Sequence, residues 1–471
     1  MKVRDRDSEV AALGEIVGSL HVVTDPDVLA GSLVEPRGLY RGKALAMVRP
    51  GSTEEVAAIV AFCDEARIGI VPQGGNTGLV GGQTPDESGH EIILSTQRLR
   101  AIREVDPDAD VMICEAGVTL AEAQAAALAA DRLFPLSLAA EGTCTIGGNV
   151  STNAGGVTVI AYGNARDLVT GVEAVLADGR VVNALTKLRK DNTGYDVKSL
   201  FIGAEGTLGV ITAVSLKLFP NPRARVTAFV GLQSPREAVT LLRLVRERIG
   251  AGVVSFELIS RVAHDMTIGH DLARAPLVGS HEWYVLVEAA SQISYGLEEA
   301  FDAALEAAFD DGVIEDAVIA ASLDQRMSFW GLRESIPEAQ VKQGASIKHD
   351  VSVPVGAVPA LIEEGTRAVE AFEPGARVVA FGHLGDGNIH FNVSQPAGAN
   401  AQSFLDRWQA MNEVVHAIVA RLGGSYSAEH GVGRLKREML AKLKDPASLS
   451  VMRRVKAALD PNGVMNPGKV L

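Results

Sequence analysis

Cysteine is scarce in this chain. Cys63, Cys114 and Cys144 are the three thiols in 471 residues, and no Cys-x-x-Cys occurs. An odd number without a pairing motif argues against a disulfide framework and for a reducing compartment. The four clustered thiolates that ordinarily hold an iron–sulfur cluster are missing as well. Basic residues are outnumbered, 44 Lys and Arg against 58 Asp and Glu, for a formal net charge of -14. A nucleic-acid binder would show a basic stripe instead. No uncharged apolar run reaches the ~18 residues of a membrane span. The start, "MKVRDRDSEV", is polar and carries no apolar signal core. With the unpaired thiols, this points to a soluble, cytoplasmic protein. No Gly-x-Gly-x-x-Gly opens a βαβ unit and no lysine-bearing phosphate loop appears, so a nicotinamide Rossmann domain is not supported.

Glycine is plentiful, with 48 residues, and 47% of the chain is hydrophobic. The length suits roughly two to three domains. "GSTEEVAAIVAFCDEARIGIVPQGG" opens with Ser52 and Glu55 at capping-box spacing. Val56, Ile59, Val60 and Cys63 then share one helical face. "IGIVP" and "VMICEAG" read as strands, "TLAEAQAAALAADR" as a helix, and "VEAVLADGRVV" as a hairpin around Asp178-Gly179. Up to about Pro220 the pattern is α+β and glycine-rich. "NPRARV" resembles a linker. Helices and strands alternate beyond it, and the end is mostly helical.

Three loops concentrate the glycines: "VPQGGNTGLVGGQ", "GTCTIGGNVSTNAGGV" and "FIGAEGTLGVI". Glycine permits positive φ and close approach of a ligand. Successive amides can form an anion-binding nest, and a dinucleotide pyrophosphate is a natural guest. One such loop would be an ordinary turn; three in one half of the chain, rich in Asn, Ser and Thr, are better explained by a shared ligand.

"FGHLGDGNIHFNV" sets two histidines around Asp386-Gly387. If those two residues form the turn tip, His383 faces His390, Leu384 faces Ile389 and Gly385 faces Asn388. Opposed side chains have Cβ atoms roughly 4.5–5.5 Å apart, close enough for two imidazoles to share a divalent metal. A third ligand must come from elsewhere, and "SAEHGVG" offers Glu429. Two nitrogens and a carboxylate suit zinc first, and also manganese or iron.

Taken together, "VPQGGNTGLVGGQTP", "EGTCTIGGNVSTNAGG", "GAEGTLGVIT" and "NPGKVL" resemble the FAD-binding segments of the vanillyl-alcohol oxidase (PCMH-type) flavoproteins. "FGHLGDGNIHFNV" and "SAEHGVG" resemble the D-2-hydroxyacid dehydrogenase branch of that family, nearest its D-2-hydroxyglutarate dehydrogenases. The resemblance runs from about residue 40 to the end. It implies an α+β fold: a two-subdomain FAD-binding domain over 41–220 after an N-terminal segment 1–40, a substrate domain with an antiparallel sheet over 221–410, and a helical segment 411–471 returning to the FAD site.

The resemblance also implies residue roles. Gly74, Gly75, Asn76, Thr77 and Gly78 wrap the pyrophosphate, with Pro72 and Leu79 beside them in the cofactor site. Glu141, Gly142, Thr145, Gly147, Gly148, Asn149, Ser151, Thr152 and Gly155 run along the flavin. Gly206, Gly209 and Ile211 belong to the third loop, with Ile211 near the adenine end. Asn466 and Lys469 match C-terminal flavin contacts. Some relatives attach FAD covalently through a histidine where this chain has Asn76, so non-covalent FAD is expected. The metal ligands match His383, His390 and Glu429, and the catalytic base matches His430. Asn392 matches a residue beside the substrate, and Arg333 and Lys348 match cations that bind its distant carboxylate. Pro337 replaces a hydroxyl found in some relatives, which leaves the choice of diacid open.

The implied reaction is FAD-dependent, metal-assisted oxidation of a D-2-hydroxy acid, first of all D-2-hydroxyglutarate to 2-oxoglutarate. Electrons would pass to an external acceptor, an electron-transfer flavoprotein or a quinone. D-lactate, D-malate or glycolate oxidation on the same fold is the alternative, and a zinc hydrolase the remote one. A homodimer is the assembly considered.

Overall fold

A computed structural model describes residues 5–471, so the first four residues of the polar start lie outside it. The chain forms two compact units. One runs to Gly155, resumes over Gly163–Asn221 and closes with Glu429–Leu471. The other comprises Gly156–Tyr162 and Pro222–Ala428. Residues 411–428, grouped from sequence with the returning segment, belong to the second unit.

The first unit holds two sheets of unlike character. In the first, Met47–Val48, Glu91–Ser95 and Gly69–Gln73 run parallel, and Val22–Val23 adds an antiparallel edge. The helix Thr53–Ala66 links two of these strands. Ser52 caps it, its hydroxyl accepting the Glu55 amide at 3.2 Å, and Val56, Ile59, Val60 and Cys63 are fully buried as their spacing predicts. The second sheet is antiparallel, in the order Ile102–Asp106, Val111–Glu115, Val210–Lys217, Val169–Val175, Val181–Asn183. The C-terminal stretch returns to the first sheet, where the Ile70 amide bonds the Val464 carbonyl at 2.8 Å and the Asn466 amide bonds the Ile70 carbonyl at 2.8 Å.

The second unit is built on one antiparallel sheet. Its order is Asp316–Ile319, Ala224–Leu232, Trp283–Ser291, Val253–Ser260, Arg377–His383, Asn388–Ser394, Ser346–Ile347, and Asp350–Ser352 also pairs with Asn388–Ser394. Alternate residues must find cover on each face. On one face Val230, Phe256, Leu258, Val287, Ala380 and Phe391 pack under Pro235–Ile249, Leu297–Asp310, Val358–Phe372 and Trp408–Arg421. On the other, Phe229, Ile259, Leu286, Val379 and Phe381 meet Arg261–Gly269 and Leu323–Lys342.

The histidine hairpin departs from the expected register. His383 pairs with Asn388, Gly382 with Ile389 and Phe381 with His390, so the loop is the four residues Leu384–Gly387. A two-residue type I′ turn needs positive φ at both central positions. Gly387 has it, at +84°, but Asp386 does not. Instead the Gly387 amide reaches back to the His383 carbonyl at 3.1 Å, and the Asp386 carboxylate accepts the Asn388 amide at 2.9 Å. A side chain at Gly387 would also lie 2.0 Å from the Val353 carbonyl oxygen.

Candidate active site

The first unit contains an open cleft lined by the three glycine-rich loops. The first loop contributes Pro72, Gly74, Gly75, Asn76, Thr77 and Gly78; the second Thr145, Gly147, Gly148, Asn149, Ser151 and Thr152; the third Gly206, Gly209 and Ile211. His430 lines the same cleft. Thr145 caps the short helix Ile146–Ser151. Gly148 sits inside that helix, where glycine costs about 1 kcal/mol relative to alanine. A Cβ there would meet only the Thr145 hydroxyl, at 3.3 Å, so packing does not demand the glycine; the missing methyl keeps the cleft floor clear. At Gly75 the protein's own packing does demand it, since a Cβ would lie 1.9 Å from the Thr143 carbonyl oxygen.

Two cleft residues carry buried oxygens without a hydrogen-bond partner among the described residues, Asn76 Oδ1 and Thr96 Oγ1. The Asn76 amide nitrogen is held by the Gly31 and Val34 carbonyls, at 3.0 and 3.1 Å. Orphaned buried oxygens call for a polar partner. These oxygens and the clear floor at Gly148 fit a polar cofactor that carries donors.

Leu79, Glu141, Gly142, Gly155, Asn466 and Lys469 do not line this cleft. Glu141 accepts from Ser137 and Gln124, at 2.8 and 3.2 Å. The Leu79 carbonyl accepts from the Arg37 guanidinium. The Asn466 amide bonds the carbonyls of Gly82 and Glu205, at 2.9 and 2.7 Å, while Lys469 pairs with Glu91 at 3.3 Å. The Asn466 contacts brace the backbone of two cleft residues, Gly82 and Glu205. Cleft residues not singled out from sequence are Gln73, Val80, Gly82, Gln83, Thr96, Glu205 and Val210.

Glu205 is the most informative of these. Its carboxylate accepts the amides of Val432 and Gly433 at 2.7 and 2.8 Å, which pins the loop that carries His430. Burial pushes its pKa up, against the opposing pull of those two amides. His430 Nε2 stands 3.6 Å from Glu429 Oε1.

The second unit holds a polar row on the sheet face covered by Leu323–Lys342. His383 and His390 sit there with ring centroids 5.5 Å apart and planes at 76°. The observed register makes them diagonal neighbours, which long side chains still bridge. Glu257, fully buried, is the cross-strand partner of His383. Its Oε1 lies 2.7 Å from His383 Nδ1, and its Oε2 accepts from Arg333 Nε at 2.8 Å. Burial alone would raise this carboxyl; the neighbouring His383 and Arg333 outweigh it and hold it at about 2.

Arg333 is itself buried and lies over the Phe381 ring, 4.8 Å from its centroid. Asn392 shares the strand face of His390, but its amide is engaged by Gln340 at 2.9 Å and by the His349 amide at 3.2 Å. Lys348 is partly buried beside Ile347, and Pro337 lies inside the helix that carries Arg333. The Ala428 amide bonds the Asp350 carbonyl at 3.3 Å, Asp350 being the register partner of His390; the next two residues in the chain are Glu429 and His430.

A cofactor cleft built from glycine loops, in a chain that pairs it with an antiparallel-sheet unit bearing clustered imidazoles, defines the class as a two-unit, cofactor-dependent enzyme. Comparison with known proteins makes it specific. Residues 44–185 match the FAD binding domain family, and residues 221–470 match the C-terminal domain of FAD linked oxidases. The chain is 39% identical to the mitochondrial D-2-hydroxyglutarate dehydrogenase of Bos taurus, covering 99% of this chain and 84% of that protein. It is 37% identical to the Arabidopsis thaliana protein of the same name, over 98% and 81%. The D-2-hydroxyglutarate–pyruvate transhydrogenase of Saccharomyces cerevisiae is 34% identical, over 95% and 90%. A solved structure of p-cresol methylhydroxylase has the same fold, with a TM-score of 0.77 at 17% identity and coverage of 98% and 96%. The chain belongs to the FAD-linked oxidase family and is an FAD-dependent oxidoreductase of PCMH-type α+β fold.

One expectation is overturned. The bovine and plant relatives are named as mitochondrial, against the cytoplasmic placement inferred from the thiols and polar start. The three cysteines are free and buried, but free thiols report a reducing environment and do not distinguish one reducing compartment from another. No helix among the described residues is long and apolar enough to cross a membrane.

Proposed function

We propose that this enzyme oxidises a D-2-hydroxy acid, D-2-hydroxyglutarate first, to the 2-oxo acid, with non-covalently held FAD and a divalent metal, and passes the electrons to an external acceptor. The observation that carries the reading is the chain of contacts His383–Glu257–Arg333, which puts a guanidinium one carboxylate away from a histidine pair. The names of the relatives support the same substrate.

FAD, when bound, supplies the hydride acceptor for the carbon that bears the hydroxyl. The glycine loops would hold it through backbone amides, and Asn76 would offer it an amide rather than an imidazole. The donor types suit a metal: Nδ1 of His383 faces Glu257, so Nε2 would be its ligating nitrogen, His390 would bring a second imidazole, and Glu429 would be the carboxylate ligand. His383, His390 and Glu429 would hold a divalent metal, whose chemistry there would be to lower the pKa of a bound hydroxyl. Zinc suits this set, and manganese or iron would serve. His430 takes the hydroxyl proton as general base. Arg333 and Lys348 bind the distant carboxylate, with Asn392 on the same strand face as His390.

A monoacid such as D-lactate or glycolate gains nothing from that second cation pair, which is why the diacid is preferred; Pro337 keeps D-malate as the second choice. The test is turnover of D-2-hydroxyglutarate, D-malate, D-lactate and glycolate with an artificial acceptor, alongside metal content of wild type, His383→Ala and His390→Ala. Preference for a diacid is expected, with each variant losing metal and keeping flavin. Preference for D-lactate would replace the substrate, and unchanged metal content would remove the histidines from the site.

A further inference from the structure

We infer that Glu257 is a positioning residue shared by the two halves of the substrate site, one carboxylate oxygen setting the metal ligand and the other aiming the substrate cation. The inference rests on the metal-assisted reading above. "VVSFELIS" is an apolar strand with one acid in it, and that acid is fully buried. A buried carboxylate persists only when its oxygens are paired. Here each has its own partner: Oε1 faces His383 Nδ1 at 2.7 Å and Oε2 accepts from Arg333 Nε at 2.8 Å.

Both contacts have a directional consequence. A hydrogen on Nδ1 of His383, donated to Glu257, fixes the tautomer and leaves Nε2 as the nitrogen able to bind a metal; such partners raise ligand basicity and orient the ring. On the other side, Glu257 takes the Nε edge of the guanidinium. The two terminal nitrogens of Arg333 donate to no protein atom among the described residues, so the fork that recognises a carboxylate bidentately is left for substrate. Phe381 beneath the guanidinium limits its swing. Glutamine at this position has one acceptor oxygen and an amide that would face one of the two donors, so it can serve His383 or Arg333 but not both.

The test compares flavin-loaded wild type, Glu257→Gln and Glu257→Asp. After chelation, zinc is titrated back against a chromophoric chelator, and KM and kcat are measured at saturating zinc for D-2-hydroxyglutarate and D-lactate. Zinc affinity of Glu257→Gln should fall about 10–100-fold. Its KM for the diacid should rise about 10-fold or more, its D-lactate kinetics should recover once zinc is saturating, and Glu257→Asp should regain part of both losses. A purely structural role would lower thermal stability and depress both substrates alike.

Zinc affinity and diacid KM unchanged in Glu257→Gln would overturn the inference while leaving the metal-assisted reading intact. Wild type that takes up no zinc would overturn both. If Glu257→Gln does not fold, nitrogen NMR of the zinc-loaded wild type, labelled at histidine, decides: a His383 with hydrogen on Nδ1 and metal on Nε2 is expected, and metal on Nδ1 refutes it.

Discussion

Replacing Arg333 by lysine separates the charge of this residue from its geometry. The guanidinium pairs with Glu257 through Nε at 2.8 Å and stands over Phe381, and it is buried. Removing the charge altogether would strand Glu257 with one partner, and breaking a buried pair in that way costs roughly 3–5 kcal/mol of stability. Lysine keeps a positive charge for Glu257, so the fold should survive. It cannot also present two parallel donors to a substrate carboxylate. A hydrogen bond between charged groups contributes about 1.5–3 kcal/mol, so kcat/KM for D-2-hydroxyglutarate should fall about 10–150-fold. D-Lactate has no second carboxylate and should change by less than about 3-fold, since it never makes that contact. The assay is kcat/KM for both acids in wild type and Arg333→Lys, with thermal unfolding as the control for folding. Equal losses on the two acids, or no loss on the diacid, would refute the assignment of Arg333 to the distant carboxylate.

Three further outcomes follow from other parts of the structure. Asn76 has no nucleophilic ring nitrogen, so heat or acid should release the yellow flavin from the denatured chain; colour that stays with the precipitate would mean a covalent link. His430→Asn should slow flavin reduction by about 10²–10⁴-fold with metal retained, measured by stopped flow; loss of the metal would make His430 a ligand instead. Glu122 is held at about 2 mainly by its hydrogen bond with Arg100, helped by Thr119 in the capping box. Its folded pKa is depressed, so its stabilising contribution is present above about pH 4.5 and is lost as pH falls toward 2. The Tm advantage of wild type over Glu122→Gln should therefore shrink between pH 5 and pH 2.5, and an advantage that grows on acidification would contradict this.

How far the chain could be read depended on the range of the interactions involved. Local signals sufficed for Ser52 at its helix start, for Val56, Ile59, Val60 and Cys63 on one buried face, and for the glycine loops that line the cleft. The histidine pair was legible as a pair, but its register was not. Asp-Gly suggested a two-residue turn, whereas Asp386 keeps negative φ and spends its carboxylate on the Asn388 amide, which lengthens the loop to four residues. Glu257 had no local signal beyond a single acid in an apolar strand, because its meaning comes from His383, 126 positions away, and Arg333, 76 positions away. Glu205 was hidden for the same reason: the loop it pins lies more than 220 positions further on. Long-range pairing of buried charges is decided by tertiary structure, and propensity and motif spacing do not contain it.

The central claim is tested most directly by anaerobic flavin bleaching. Purified protein is mixed with D-2-hydroxyglutarate under nitrogen, before and after exhaustive chelation and again after a divalent metal is restored, while flavin absorbance is followed. The account predicts rapid bleaching by the diacid, little or none in the metal-free protein, and recovery on adding zinc or manganese. Full-rate bleaching in protein shown to be metal-free, or a flavin that no D-2-hydroxy acid reduces, would contradict it.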